Sequence, residues 1–109
     1  MRRVAGLLMF GGCATAQIDA TPSQRAVVEV LAVRHEVDCA RVATVTPDPV
    51  ADLAWVAENW PDPGWIGIRA AECLGVVADR PTYDAIAARW TANPDWLGLA
   101  EVVADRSAP

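Results

Sequence analysis

The chain has 109 residues, 53% of them hydrophobic, and carries a net charge of −5 in which all nine basic residues are Arg. That length supports one domain with a modest core. An acidic body without clustered Arg argues against binding nucleic acid through its phosphates, and the longest apolar run, at the N-terminus, falls far short of the ~18–20 residues that cross a bilayer as a helix.

Residues 1–16 read as an export signal, with Arg2 and Arg3 as a positive start, Val4 to Phe10 as an apolar stretch, and small residues after it. Two processing signals overlap there. Phe10-Gly11-Gly12-Cys13 resembles the lipobox of bacterial lipoproteins, which implies lipidation of Cys13 and an anchor to the membrane in the periplasm or outer membrane. Ala14-Thr15-Ala16 is instead an A-x-A site that would release a soluble periplasmic or secreted protein starting at Gln17. An unprocessed cytosolic helix is the third reading; the lipid-anchored form is the one we carry forward. Residues 17–22 then form a linker and 23–109 a helical domain.

Thr21-Pro22 pairs an N-cap with a first-turn proline. A first helix is predicted from Ser23 to Val45, a span without Gly or Pro, along a seam of Val30, Val33, Val37, Ala40 and Thr44. Ala26 to Val33 is rich enough in β-branched residues to suit a strand, but the seam continues past it, which favours helix. Thr46-Pro47-Asp48-Pro49 breaks the chain and caps a second helix with Val50, Leu53, Ala54 and Ala57 on one face, ending near Trp60-Pro61. Asp62 and Pro63 read as the cap and first turn of a third, whose stripe is Ile66, Ala70, Cys73, Leu74 and Val77. Gly67, Ala71 and Gly75 line a second face where a neighbour could approach closely. After Arg80-Pro81, Tyr83, Ile86, Ala87 and Trp90 mark a fourth helix. Asn93-Pro94 opens a fifth with Trp96, Leu99, Ala100 and Val103. Five helices make two pairs and an unpartnered half.

The chain repeats itself. Pro63-Gly64-Trp65-Ile66-Gly67-Ile68 returns 31 residues later as Pro94-Asp95-Trp96-Leu97-Gly98-Leu99, a period suited to stacked helix pairs. Val76 to Arg80 returns as Val102 to Arg106 at an offset of only 26, so the last helix reads as a copy shortened by five residues. Ile66 to Asp79 resembles the HEAT-like repeat of the phycobilisome-lyase type, VRxxAAEALGxIGD. Ile66 stands at the Val, Ala70-Ala71-Glu72-Cys73-Leu74-Gly75 matches AAEALG with Cys for Ala, and Val77 and Asp79 match the closing Ile and Asp. Gly67 replaces the Arg that helps join adjacent units in that family, while Val33-Arg34, 33 residues earlier, offers Val-Arg in the preceding unit. The resemblance implies an all-α fold, a short α-solenoid, and a non-enzymatic scaffold binding a protein or peptide. The lyases sharing this repeat attach bilins, so an accessory factor or fragment related to them is the alternative, and a truncated paralogue with only a structural role is a third reading.

Reactive chemistry is sparse, and we assign no catalytic residue, cofactor or metal. Removal of the N-terminal segment leaves Cys39 and Cys73, 34 residues apart, either as a disulfide in an oxidising compartment or as two buried thiols. His35 and Cys39 share a helical face at i, i+4, but no second ligand pair exists. Ser23 and Ser107 lie near the ends without a glycine elbow, and no phosphate-cradling loop occurs. Trp55, Trp60, Trp65, Trp90 and Trp96 gather around the helix junctions as core wedges, with Trp60, Trp65 and Trp96 the candidates for an interaction surface. The last helix is either a terminal cap whose Asp95, Glu101 and Asp105 face water, or a self-association or partner surface built on Trp96, Leu97 and Leu99.

Overall fold

A computed structural model describes residues 18–107, so Cys13 and the rest of the segment read as an export signal lie outside the described residues. Six α-helices follow one another: α1 (Pro22–Leu31), α2 (Val42–Val45), α3 (Pro49–Asn59), α4 (Gly64–Val77), α5 (Arg80–Ala92) and α6 (Leu97–Ser107). Single 3-10 turns at Cys39–Arg41 and Pro94–Trp96 lead into α2 and α6, and no strand occurs among the described residues.

Most helix starts are dictated locally. Thr21 accepts from the Gln24 amide while the Gln24 side chain returns a bond to the Thr21 amide, a reciprocal pair that satisfies two orphan donors. Asp48 accepts from the Ala51 amide, Asp79 from Thr82 and Asn93 from Asp95, each with a proline in the first turn. The third predicted cap is different. Helix α4 starts at Gly64 with Pro63 as its flanking residue and no side-chain cap; Asp62 contributes only its backbone carbonyl, which accepts from Trp60 Nε1 at 3.1 Å.

The single helix predicted from Ser23 to Val45 is broken. Helix α1 stops at Leu31, and residues 32–38 are irregular before the chain coils again at Cys39. The cause lies on α4. Arg69 Nη1 donates to the carbonyl oxygens of Leu31 at 2.6 Å and Val33 at 2.5 Å, so the carbonyls at the end of α1 are satisfied by a guanidinium rather than by further turns. Asp38 then caps the Cys39 turn through the Ala40 amide. Val33-Arg34 therefore lies in the irregular segment and not at a repeat position on a helix.

Helices α3 and α4 form the most extensive pair, and α5 pairs with α6. Helix α1 lies on α3 and touches α4, the Cys39 turn rests on α4, and α6 packs on α4 as well as α5. The last helix thus packs on the two helices before it, as the terminal-cap reading expects. Gly67 permits the α3–α4 contact: a Cβ there would sit 3.2 Å from the Ala57 carbonyl oxygen. The core runs through Val27, Leu31, Val42, Leu53, Val56, Leu74 and Trp90, all fully buried, each worth about 1.5–3 kcal/mol of apolar burial. Trp90 satisfies its indole N–H on Glu58 Oε2 at 2.7 Å, and Arg89 donates to the same oxygen, tying α5 to α3.

The two Val-Val-Ala-Asp-Arg segments have different fates. Val76 and Val77 close α4, Ala78 is its C-cap, and Asp79 and Arg80 begin α5. Val102 to Arg106 all lie inside α6. Pro81 forces the first segment to restart, whereas Ser107 lets the second continue. Over the described residues the last helix is shorter than its counterpart, 11 residues against 14 in α4, by three residues and not the five predicted, with the 3-10 turn Pro94–Trp96 leading into it.

Candidate functional site

Between α4 and α6 runs a groove of about 600 Å³. Helix α4 supplies Ile68, Glu72 and Val76 at i, i+4 and i+8; α6 supplies Gly98, Glu101, Val102 and Asp105 at i, i+3, i+4 and i+7. These spacings place each set on one helical face. Val76 is 65% exposed, and a Cβ at Gly98 would make ordinary contact with Ile68 Cδ1 at 3.6 Å. Apolar side chains and carboxylates therefore share one concavity.

The carboxylates of the groove have no ion-pair partner among the described residues. The ion pairs among the described residues are Arg80–Asp84 and Arg89–Glu58, and neither involves Glu72, Glu101 or Asp105. Arg106 also borders the groove, but its guanidinium donates to the Gly75 carbonyl and lies 5.5 Å from the Tyr83 ring centroid. Cys39 lines the same groove and is joined to Cys73 by a disulfide, with the two Cα atoms 5.2 Å apart. That bond fastens the turn after the irregular segment to α4.

The three candidate tryptophans do not form one surface. Trp60 and Trp96 line a smaller cleft of about 170 Å³ together with Gly64, Gly67 and Gly98. Trp65 stands apart: it is 47% exposed and its ring carries the Arg69 guanidinium at 4.6 Å, which steadies that side chain for its bonds to α1. Leu97, the residue after Trp96, points to solvent at 65% exposure.

A third concavity of about 670 Å³ opens between the start of α5 and the end of α6, lined by Gly75, Arg80, Tyr83, Asp84 and Arg106. Tyr83 Oη is buried and lacks a hydrogen-bond partner among the described residues. Burial pushes its phenol above the ordinary tyrosine pKa, against the pull of Arg106. At the same corner, hydrogen bonds from Thr82, backbone first and then side chain, hold the Asp79 carboxyl below the usual range. Gly75 leaves room for the Arg106 side chain as placed, since a Cβ there would come within 2.6 Å of Arg106 Nε and displace it.

Cys39 is consumed by its bond to Cys73, His35 Nδ1 lies 3.0 Å from the Glu36 carbonyl, and no group of three metal-ligating side chains gathers among the described residues. Thr46 Oγ1 donates to Asp52 Oδ2 at 2.6 Å, a buried pair at the head of α3. Sequence reasoning missed the groove, although Ile68, Glu72 and Val76 carry a readable four-residue spacing beside the core stripe. It also missed Arg69, for which no local signal exists. Comparison of this chain with protein-family models, with curated proteins and with solved structures gives no match, so the site must be read from its own geometry.

Proposed function

We propose that this chain is a non-enzymatic helical-repeat module of the cell envelope that docks another protein or peptide along the face between α4 and α6. The observation that carries this reading is the groove itself, in which apolar side chains lie beside carboxylates lacking ion-pair partners. A short α-solenoid is supported by the order of contacts: α1 on α3, the Cys39 turn on α4, and α4 on α6, so that corresponding parts of successive helix pairs meet. An exported location is supported by the Cys39–Cys73 disulfide, a bond that persists in oxidising compartments, and by the signal-like residues 1–16. Lipidation of Cys13 is the preferred processing route, release from Gln17 the alternative.

Two measurements test the proposal. Intact mass of the protein from its native host should show a diacylated Cys13 as the first residue; an unprocessed Met1 would overturn the envelope location. A photo-crosslinking residue placed at Val102 in living cells should give a discrete protein adduct that is missing when the same residue is placed at Glu29 or Ala88, which are exposed on α1 and α5. Equal labelling at all three positions would overturn the docking face.

A further inference from the structure

We infer that the occupant of the α4–α6 groove is a cationic amphipathic helix of another protein, an assignment that rests on the docking reading above. Three carboxylates, Glu72, Glu101 and Asp105, meet Ile68, Val76 and Val102 in this concavity. The one cation beside them among the described residues, Arg106, is engaged with the Gly75 carbonyl and the Tyr83 ring. A neutral occupant would strip water from these carboxylates and return nothing, whereas Lys or Arg at its flanks would pair with them. The charge pattern thus selects a basic partner.

The shape selects a helix. Ile68 to Val76 spans about 12 Å at roughly 1.5 Å per residue, two helical turns. A rod laid along this length can present apolar residues at i, i+3 or i+4, and i+7 to Ile68, Val76 and Val102, while basic residues on either flank reach Glu72 on one wall and Glu101 and Asp105 on the other. No sheet edge is present among the described residues to pair with an extended peptide. A second copy of this chain is a poor occupant, because it would bring a net charge of −5 to an acidic face, and an anionic lipid surface is excluded on the same ground.

The experiment uses the full chain and a fluorescein-labelled helical peptide about four turns long, with Leu along one stripe and Lys elsewhere. Its controls are a scrambled peptide of the same composition and a version with Glu in place of Lys. Fluorescence anisotropy should show the amphipathic Lys peptide binding at least about tenfold more tightly than either control, and more weakly as salt rises. The triple variant Glu72→Lys, Glu101→Lys, Asp105→Lys should lose at least about tenfold for the Lys peptide and gain affinity for the Glu peptide. A matched triple at exposed Asp19, Glu29 and Glu36 should stay within about twofold, showing that net charge alone is not responsible. Equal binding of the scrambled peptide, or indifference to the groove triple, overturns the assignment. So does a dimer in sedimentation that the groove triple abolishes, which would make a second copy the occupant, and so does binding that emerges only when Arg2 and Arg3 are replaced, which would point to the chain's own N-terminal segment. A crosslink at Val102 to a partner without a basic helix overturns this assignment alone and leaves the docking face standing.

Discussion

Helix α4 and the unit 94–107 begin with the same pattern of Pro, Trp and Gly, yet the two are buried differently. Ile66 is 4% exposed while its counterpart Leu97 is 65% exposed. Gly67 is pressed against the Ala57 backbone, whereas Gly98 borders an open groove and meets only the tip of Ile68. Arg69 reaches α1, and Cys73 is bonded to Cys39; the corresponding positions in α6 are Ala100 and Ala104, which reach nothing comparable. Gly75 even has Arg106 as its counterpart, and that Arg donates back to the Gly75 carbonyl. Surroundings decide what each copy does, because α4 is packed by α1, α3, the Cys39 turn and α6, whereas α6 packs on α4 and α5.

The largest test of this contrast is truncation at the paired apolar sites. Ile66→Ala should lower unfolding free energy by about 2–5 kcal/mol and Leu97→Ala by no more than about 0.5 kcal/mol, as read by urea denaturation. Similar losses at both would break the comparison. Next, replacing Cys39 and Cys73 together by Ala should cost about 3 kcal/mol through the loop the bond closes, and reductant should reproduce the effect in the wild-type chain but not in the variant. Arg69→Met should cost about 2 kcal/mol and speed hydrogen exchange around the end of α1 while α5 and α6 keep their protection.

A smaller effect separates the glycines. Gly98→Ala should stabilise by up to about 1 kcal/mol through helix propensity, since its Cβ finds ordinary contact; Gly67→Ala should forfeit that gain against the Ala57 carbonyl. The smallest is spectroscopic and probes the corner where Arg106 of the last unit meets Gly75 of α4. The single Tyr83 should titrate above the ordinary phenol value when followed by absorbance. Because its folded pKa is raised, its contribution to stability is complete below the unfolded value of about 10 and is lost as pH rises through the folded one.

What the sequence made legible is what local chemistry decides. The caps at Thr21, Asp48 and Asn93 could be read directly, since an oxygen-bearing side chain followed by proline specifies its own first turn. The core stripe of α4 was equally plain, with Ile66, Ala70, Cys73 and Leu74 all buried. Asp62 misled because the same Asp-Pro pair does not cap here; its carbonyl is taken by Trp60 instead. The repeated pentapeptide misled for a related reason, its outcome being set by the residue that follows it. The groove was out of reach because it exists only once α6 lies along α4, and no residue in either helix announces the other.

Arg69 has a consequence for how the chain matures. The Leu31 and Val33 carbonyls to which it donates belong to residues synthesised 38 and 36 positions earlier. While only the first 45 residues have been made, the clamp that ends α1 does not yet exist, and the seam from Val30 to Thr44 is free to coil onward as one longer rod. The boundary at Leu31 is then imposed from downstream, late in synthesis.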